Sequence, residues 1–196
     1  MSKLNVDTIE PEGASTTLTL GASGDTVDVP SGATLDVTGA TVSGLSAGKV
    51  LQVVTLQYNT VETMAAGASW QNTGLELAIT PSATSSKVLC LFMANIGVDG
   101  YGFTNIVRDS TNLNQGTPAG SNRITATTGT GNTSHKPWSG TISLLDSPST
   151  TSATTYRLAV YGYSGTSVFL NRSFTDTDLN YQVRGSSSVI LMEIEG

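Results

Sequence analysis

Three kinds of side chain in this sequence could take part in catalysis or metal binding: one histidine, one cysteine and a pair of closely spaced aspartates. His135 is the single histidine, so a Ser–His–Asp or Cys–His device would have to use it. It lies in the polar stretch 131–138, and the chain has no Gly-x-Ser-x-Gly nucleophile elbow. We therefore expect His135 to contact solvent or a ligand, and we predict that the protein is not an enzyme.

The cysteine and the aspartates fit structural roles better than chemical ones. Cys90 lies inside the apolar run 88–93, so we expect a small core residue, because a reactive thiol needs exposure and a positive neighbourhood. The spacing of Asp176 and Asp178 would suit a calcium ion, but the EF-hand pattern is absent and Asx turns explain them better. Zinc needs clustered His and Cys, so we predict neither a metal nor a cofactor.

Binding is a better prospect than catalysis, because aromatic and polar residues share the predicted loops. Aromatic faces beside amide, acid or guanidinium groups suit sugar rings and protein surfaces. In the loop 128–138, Pro137 restricts the backbone beside an aromatic residue and so orders it. Tyr58 and Trp70 are assigned to packing. The predicted binding residues are Tyr101, His135, Lys136, Trp138, Tyr181 and Arg184.

Composition and charge exclude several kinds of partner. The chain has 196 residues, with nine Lys and Arg against fifteen Asp and Glu, and a formal net charge of −6. The cations are scattered singly, so neither a nucleic acid nor an anionic membrane surface is favoured. No apolar run approaches membrane-spanning length and no signal peptide is recognisable at residue 1, so we expect synthesis in a cytoplasm without membrane insertion.

An all-β fold is predicted from 21 glycines, only 12% charged residues and short apolar runs between turn-forming clusters. Nine short strands in about 150 residues are typical of a β-sandwich or jelly roll. The predicted strands are Val50–Tyr58, Leu75–Ile79, Lys87–Ile96, Phe103–Arg108, Arg123–Thr127, Gly140–Leu145, Thr155–Tyr163, Ser167–Asn171 and Ser187–Glu195.

The last strand, 187–195, organises the predicted head. It carries large apolar groups on both faces, which indicates an interior strand, and its best partner is the segment 49–56. That pairing closes a head over residues 49–196. Strand parity then places the loops 99–101, 128–138 and 174–184 at the tip of the head, and the loops 81–86 and 148–153 at its base.

The first 48 residues fall outside the head. Residues 1–14 bury too little to fold alone, so they are either an unstructured start or a docking peptide whose apolar groups are Leu4, Val6 and Ile9. Residues 15–48 hold an imperfect repeat of apolar pairs and Gly or Pro turns, which we interpret as a trimeric β-stalk; a linker is the alternative. The predicted axis residues are Leu18, Leu20, Val27, Val29, Leu35, Val37 and Val42.

Several segments resemble the trimeric heads of bacteriophage virion proteins and tail fibres: 140–148 (GTISLLDSP), 155–160 (TYRLAV), 171–173 (NRS) and the closing strand. The opening residues 1–9 (MSKLNVDTI), followed by the Gly-punctuated repeat, also resemble the start of such proteins. The head is similar to the C1q/tumour-necrosis-factor jelly roll. The resemblance implies a homotrimer, an N-terminus attached to the virion and a distal globular knob.

The expected function is therefore that of a non-enzymatic phage tail fibre, located in the virion, whose head attaches to a host-surface glycan or protein. The N-terminus would contact other tail or capsid proteins. One alternative is a capsid decoration protein, head fibre or other assembly component without a receptor role. Another is a sugar-binding lectin outside any virion, which would leave residues 1–14 without a role.

Overall fold

The structure is a computed structural model that describes residues 26–34, 48–67, 69–113, 116–117, 120–131, 133 and 135–196. The chain divides into two units, Met1–Ser46 and Ala47–Gly196. Most of the predicted docking and stalk residues lie outside the described residues: Leu4, Val6, Ile9, Leu18, Leu20, Leu35, Val37 and Val42.

Val27 and Val29 belong to the one described stretch of the first unit, residues 26–34. Both side chains are exposed, and this stretch contains no strand. The expected tight turn at Pro30–Gly32 is present, because Ala33 N donates to Pro30 O at 3.0 Å and Gly32 has a φ of 88°. The stalk axis therefore stays a prediction.

The described residues of the second unit form eleven strands and no helix. They are β1 (Val50–Tyr58), β2 (Glu62–Met64), β3 (Gln71–Ile79), β4 (Lys87–Val98), β5 (Tyr101–Arg108), β6 (Thr111–Leu113), β7 (Thr128–Gly131), β8 (Trp138–Asp146), β9 (Thr154–Gly162), β10 (Val168–Leu170) and β11 (Ser187–Ile194).

Two antiparallel sheets pack as a jelly-roll-like sandwich, which confirms the predicted all-β fold. We call them the β4 sheet and the β9 sheet. In the β4 sheet, β11 lies between β1 and β4, while β10 joins the far half of β4 to β2 and β8 pairs along its other side. In the β9 sheet the order is β3-β9-β5, and β6 and β7 both pair with β5.

Alternation along each strand produces the core between the sheets. On β11, Val189, Leu191 and Glu193 point inward and are buried, whereas the intervening residues point outward. Cys90 is fully buried, as predicted, and burial raises the pKa of its thiol. The largest fully buried apolar side chains of the core are Tyr156, Phe92, Leu75, Ile96, Ile106, Ile142, Leu158, Leu170 and Leu191.

The predicted pairing of the last strand with the first is confirmed, with Val54 opposite Leu191 and Leu56 opposite Val189. One predicted strand is wrong: residues 123–127 form none, and the strand lies instead at Thr128–Gly131. The sequence Thr-Gly-Thr-Gly resembles a turn, but in the fold its glycines lie opposite aromatic residues of β5 and leave room for their rings.

The two ends of the sandwich differ. We call the end where β1 begins and β11 ends the near end, and the opposite one the far end. The connections 80–86 and 147–153 lie at the near end, and the connections 99–100, 132–137 and 171–186 lie at the far end. These positions agree with the loop sides expected from strand parity, but the predicted loop 128–138 is shorter than expected, because residues 128–131 form β7 and residue 138 begins β8.

Candidate functional site

The long connection between β10 and β11 lies at the far end, and the buried residue Asn171 holds its beginning in place. Asn171 has a left-handed φ of 63°, and its Nδ2 donates to Tyr58 O at 2.8 Å and Thr60 O at 2.9 Å. Its Oδ1 accepts from Ser187 Oγ at 2.6 Å. Asparagine tolerates this backbone conformation better than most residues, so the sequence could have predicted a turn at position 171.

His135 and Tyr181 are brought together by two different loops. Their ring centroids lie 5.2 Å apart in an edge-to-face arrangement with an interplanar angle of 87°. His135, Lys136 and Tyr181 are exposed. Two of the predicted binding residues thus form one contact at the far end, with an exposed cation beside them in sequence.

Arg184 belongs to an ionic cluster in the same connection. Its Nε and Nη2 bind the two carboxylate oxygens of Asp176 at 3.1 and 2.8 Å, and Arg172 Nη1 lies 3.7 Å from Asp176 Oδ2. Hydrogen bonding to Arg184 lowers the pKa of Asp176. The guanidinium of Arg172 also lies 3.7 Å from the ring centroid of Phe169. Asp176 therefore holds two arginines, which fits the structural reading of this aspartate rather than calcium binding.

Trp138 differs from the other predicted binding residues, because it is half-buried and packs against the core. It lies opposite Ile96 in the β4–β8 register. Its ring covers Gly140, where an added Cβ would overlap the indole. Pro137 and Trp138 line a shallow depression with His135 and Lys136, so part of the indole remains within reach of a ligand.

A second group of aromatic residues lies on the outer face of the β9 sheet at its far end. Tyr161 lies at the centre of this group. Its ring centroid is 5.7 Å from that of Trp70 and 6.1 Å from that of Phe103. Tyr101 and Tyr163 form the next row, 6.4 Å apart, and are 65% and 50% exposed. We call these five residues the aromatic surface.

Sequence reasoning found only part of the aromatic surface. Tyr101 was predicted to bind, but Trp70 was assigned to packing together with Tyr58. Tyr58 does pack against the core, whereas Trp70 precedes β3 on the outer face and contacts Tyr161. The available signal was the spacing of two residues between 101 and 103 on β5, and between 161 on β9 and 163 directly after it, because this spacing places each pair on one face.

In the described part of the chain, no three His, Cys, Asp or Glu side chains come together in a way that would hold a metal ion. That part also contains no apolar helix of membrane-spanning length. No protein-family model matches the chain, and no curated protein is significantly similar to it. We therefore infer function from the surfaces of the sandwich.

Proposed function

We propose that the protein is a homotrimeric virion fibre component of a bacteriophage, whose head attaches to a host-surface receptor through its far end. The observation that carries this proposal is an apolar outer face on the β4 sheet. The sandwich already has its core between the two sheets, so this second apolar face needs another partner. We infer that this partner is a further copy of the same chain.

The apolar face follows the strand register. One complete row across four strands is Val53, Met192, Leu89 and Leu145. Val53 and Leu145, at its ends, are 51% and 53% exposed. The other apolar members of this face are Val50, Leu51, Leu91, Met93, Ile190 and Ile194.

An exposed aliphatic face of this kind is unusual for a monomer, because exposed apolar patches of a few hundred Å² mark interaction sites. The complete row is continuous across β1, β11, β4 and β8, whereas the next row has polar residues, Thr55 and Ser143, at its ends. The outward cation on these strands is Lys87. Self-association would remove the apolar side chains from water, and each Å² of apolar surface buried contributes roughly 25 cal/mol of favourable free energy. The face therefore favours stable packing between copies.

Four observations support an attachment role for the trimer. The apolar repeat of residues 15–45 would need partner chains to bury it if it forms the predicted stalk, and the sequence resembles trimeric phage fibre proteins. The first strand, β1, begins at the near end, at Val50. The far end carries the exposed aromatic and ionic side chains. An attachment knob needs this polarity, with assembly at one end and recognition at the other.

Three measurements test the proposal on the full-length chain. Light scattering should give three times the 20.2 kDa chain mass. Fluorescently labelled protein should bind the bacterial cells on which the virus carrying it is propagated, and an excess of unlabelled protein should slow adsorption of the particles. A monomer would overturn the trimer, and a trimer that neither binds cells nor competes would favour an assembly role in the virion.

A further inference from the structure

We propose that the aromatic surface, Trp70, Tyr101, Phe103, Tyr161 and Tyr163, binds an uncharged oligosaccharide. This proposal deepens the attachment function and rests on it for its biological role. It names the chemical class of the receptor and places the contact on the outer face of the β9 sheet, beside the far-end loops rather than on them.

The rings are held in fixed positions by the sheet. Phe103 lies opposite Tyr161 on β9 and opposite Gly129 on β7. A Cβ at Gly129 would lie 3.0 Å from Phe103 Cδ1, so the ring rests on glycine backbone. Tyr101 lies opposite Gly131 in the same way, with ring atoms 3.7 and 3.9 Å from the corresponding position. Preorganised rings lose little conformational entropy when a ligand binds.

The surface is chemically suited to sugar rings. The C–H groups on one face of a pyranose are apolar and pack on aromatic rings, while its hydroxyl groups need hydrogen-bond partners. The phenolic hydroxyls of the three tyrosines can both donate and accept. Interplanar angles of 58° to 70° between neighbouring rings make the surface ridged, which suits a chain of several inclined sugar units better than one flat ring.

Charge favours a neutral ligand. Among the outward-facing residues of β3, β5, β7 and β9, the charged side chains are Glu76 and Arg157, and their Oε2 and Nε atoms lie 3.2 Å apart. They neutralise one another and leave no unpaired cation among these residues. Single-stranded nucleic acid also stacks on aromatic residues, but it requires a basic groove, and the net charge here is −6. An uncharged glycan meets no such penalty.

Size separates a glycan from a protein partner. Taking about 200 Å² for each aromatic side chain, with Tyr101 and Tyr163 exposed and the other three rings partly buried, the surface offers roughly 300–450 Å² of ring area. A stable protein–protein interface needs about 800 Å² from each partner. The aliphatic face of the β4 sheet has the character of a protein interface, whereas the aromatic surface has the area of a short oligosaccharide.

The two tryptophans of the chain allow a direct test. Trp70 belongs to the aromatic surface, and Trp138 lines the depression beside His135. In the full-length Trp138→Phe variant, Trp70 is the only tryptophan, so its fluorescence reports binding at the aromatic surface. In Trp70→Phe, Trp138 reports the loop site. The probes are uncharged oligosaccharides built from glucose, galactose, mannose or N-acetylglucosamine, with a sialylated oligosaccharide for comparison.

We expect at least one uncharged probe to change the fluorescence of Trp70 in a saturable way and to leave that of Trp138 unchanged. Adding Tyr163→Ala should weaken this binding by about tenfold, the effect of losing one stacked ring. Leu179→Ala is the matched control, because Leu179 is 46% exposed against 50% for Tyr163, lies outside the aromatic surface and is not one of the predicted binding residues. The melting temperatures of the variants are recorded, so that a loss of binding can be distinguished from a loss of folding.

Three results would overturn the proposal: no uncharged probe affects Trp70, the response comes from Trp138, or Tyr163→Ala and Leu179→Ala have equal effects. A protein receptor would be indicated if Tyr163→Ala abolished binding to cells while no sugar bound. Sugar binding at Trp70 without any binding to cells would leave this proposal intact and remove the attachment function. Binding to cells that is unaffected by Tyr163→Ala would leave the attachment function intact and would remove the aromatic surface as its receptor site.

Discussion

The Oδ2 atom of Asp146 lies 2.6 Å from Nη1 of Arg108, and this ion pair joins the two sheets at the near end of the sandwich. Asp146 ends β8 in the β4 sheet, and Arg108 ends β5 in the β9 sheet. The hydroxyl of Tyr156 donates to the same carboxylate oxygen at 2.7 Å, and burial, followed by this hydrogen bond, raises the pKa of Tyr156.

Asp146→Asn should therefore destabilise the head by about 2–3 kcal/mol, since it leaves the partly buried Arg108 without its counter-ion. Tyr156→Phe keeps the ring in the core and removes one hydrogen bond to a charged acceptor, so it should cost about 1.5 kcal/mol. Urea denaturation at neutral pH measures both. A change below about 0.5 kcal/mol in Asp146→Asn, within the range of ordinary surface substitutions, would show that the pair does not stabilise the sandwich.

Glu193 predicts an acid-sensitive contribution to stability. Burial alone would raise its pKa, but hydrogen bonds from Ser82, Gln52 and Ser86 lower it to about 2 from an ordinary value of 4.5. Ser82 N and Oγ donate to Oε1 at 2.7 and 2.6 Å, and Gln52 Nε2 donates to Oε2 at 2.6 Å. Because the folded pKa is the lower one, this stabilisation is present above pH 4.5 and is lost as the pH falls towards 2.

Glu193→Gln should be less stable than the natural chain at pH 7, and the two should converge as the pH falls from 4.5 to 2. Denaturation curves at several pH values in this interval measure the difference. Glu195→Gln, an exposed carboxyl two residues further on, controls for the change in net charge. Parallel pH profiles of the natural chain and Glu193→Gln would contradict the assignment.

The apolar outer face of the β4 sheet predicts the effect of charges on assembly. Val53→Asp and Leu145→Asp each place three carboxylates in the proposed trimer interface, and a buried unpaired charge is strongly unfavourable. Each should raise the protein concentration needed for trimer formation by about a hundredfold or more, as followed by light scattering or sedimentation.

Ala78→Asp is the matched control for assembly, because Ala78 is an exposed strand residue of the other sheet. The far-ultraviolet spectrum should stay that of a β-protein in all three variants, because both interface side chains are about half exposed in the single chain. Trimers as stable as those of the natural chain in both interface variants would place the interface elsewhere.

The far-end loops predict a separation between stability and recognition. Trp138→Ala removes an indole that packs against the core, so it should destabilise the head by about 2–3 kcal/mol, below the range for a fully buried aromatic residue. His135→Ala and Lys136→Ala change exposed side chains and should leave the melting temperature within about two degrees of the natural value. Differential scanning calorimetry compares them, and a stable Trp138→Ala would contradict the packing role.

Much of the fold follows from local sequence patterns. Alternation on the last strand identified an interior strand with two apolar faces, and the structure places it between β1 and β4 as expected. Cys90 inside an apolar run was correctly assigned to the core. These inferences succeed because side-chain alternation and the exclusion of apolar groups from water act within a few residues of sequence.

Register and long-range pairing were decided only by the tertiary structure. Thr128–Gly131 becomes a strand because β5 offers an edge and its aromatic rings need glycine opposite them, which no local propensity reveals. Trp70, Phe103 and Tyr161 meet because β3, β9 and β5 are neighbours in one sheet, although the three residues are far apart in sequence. Sequence alone could supply the aromatic residues, but only the strand order could bring them onto one surface.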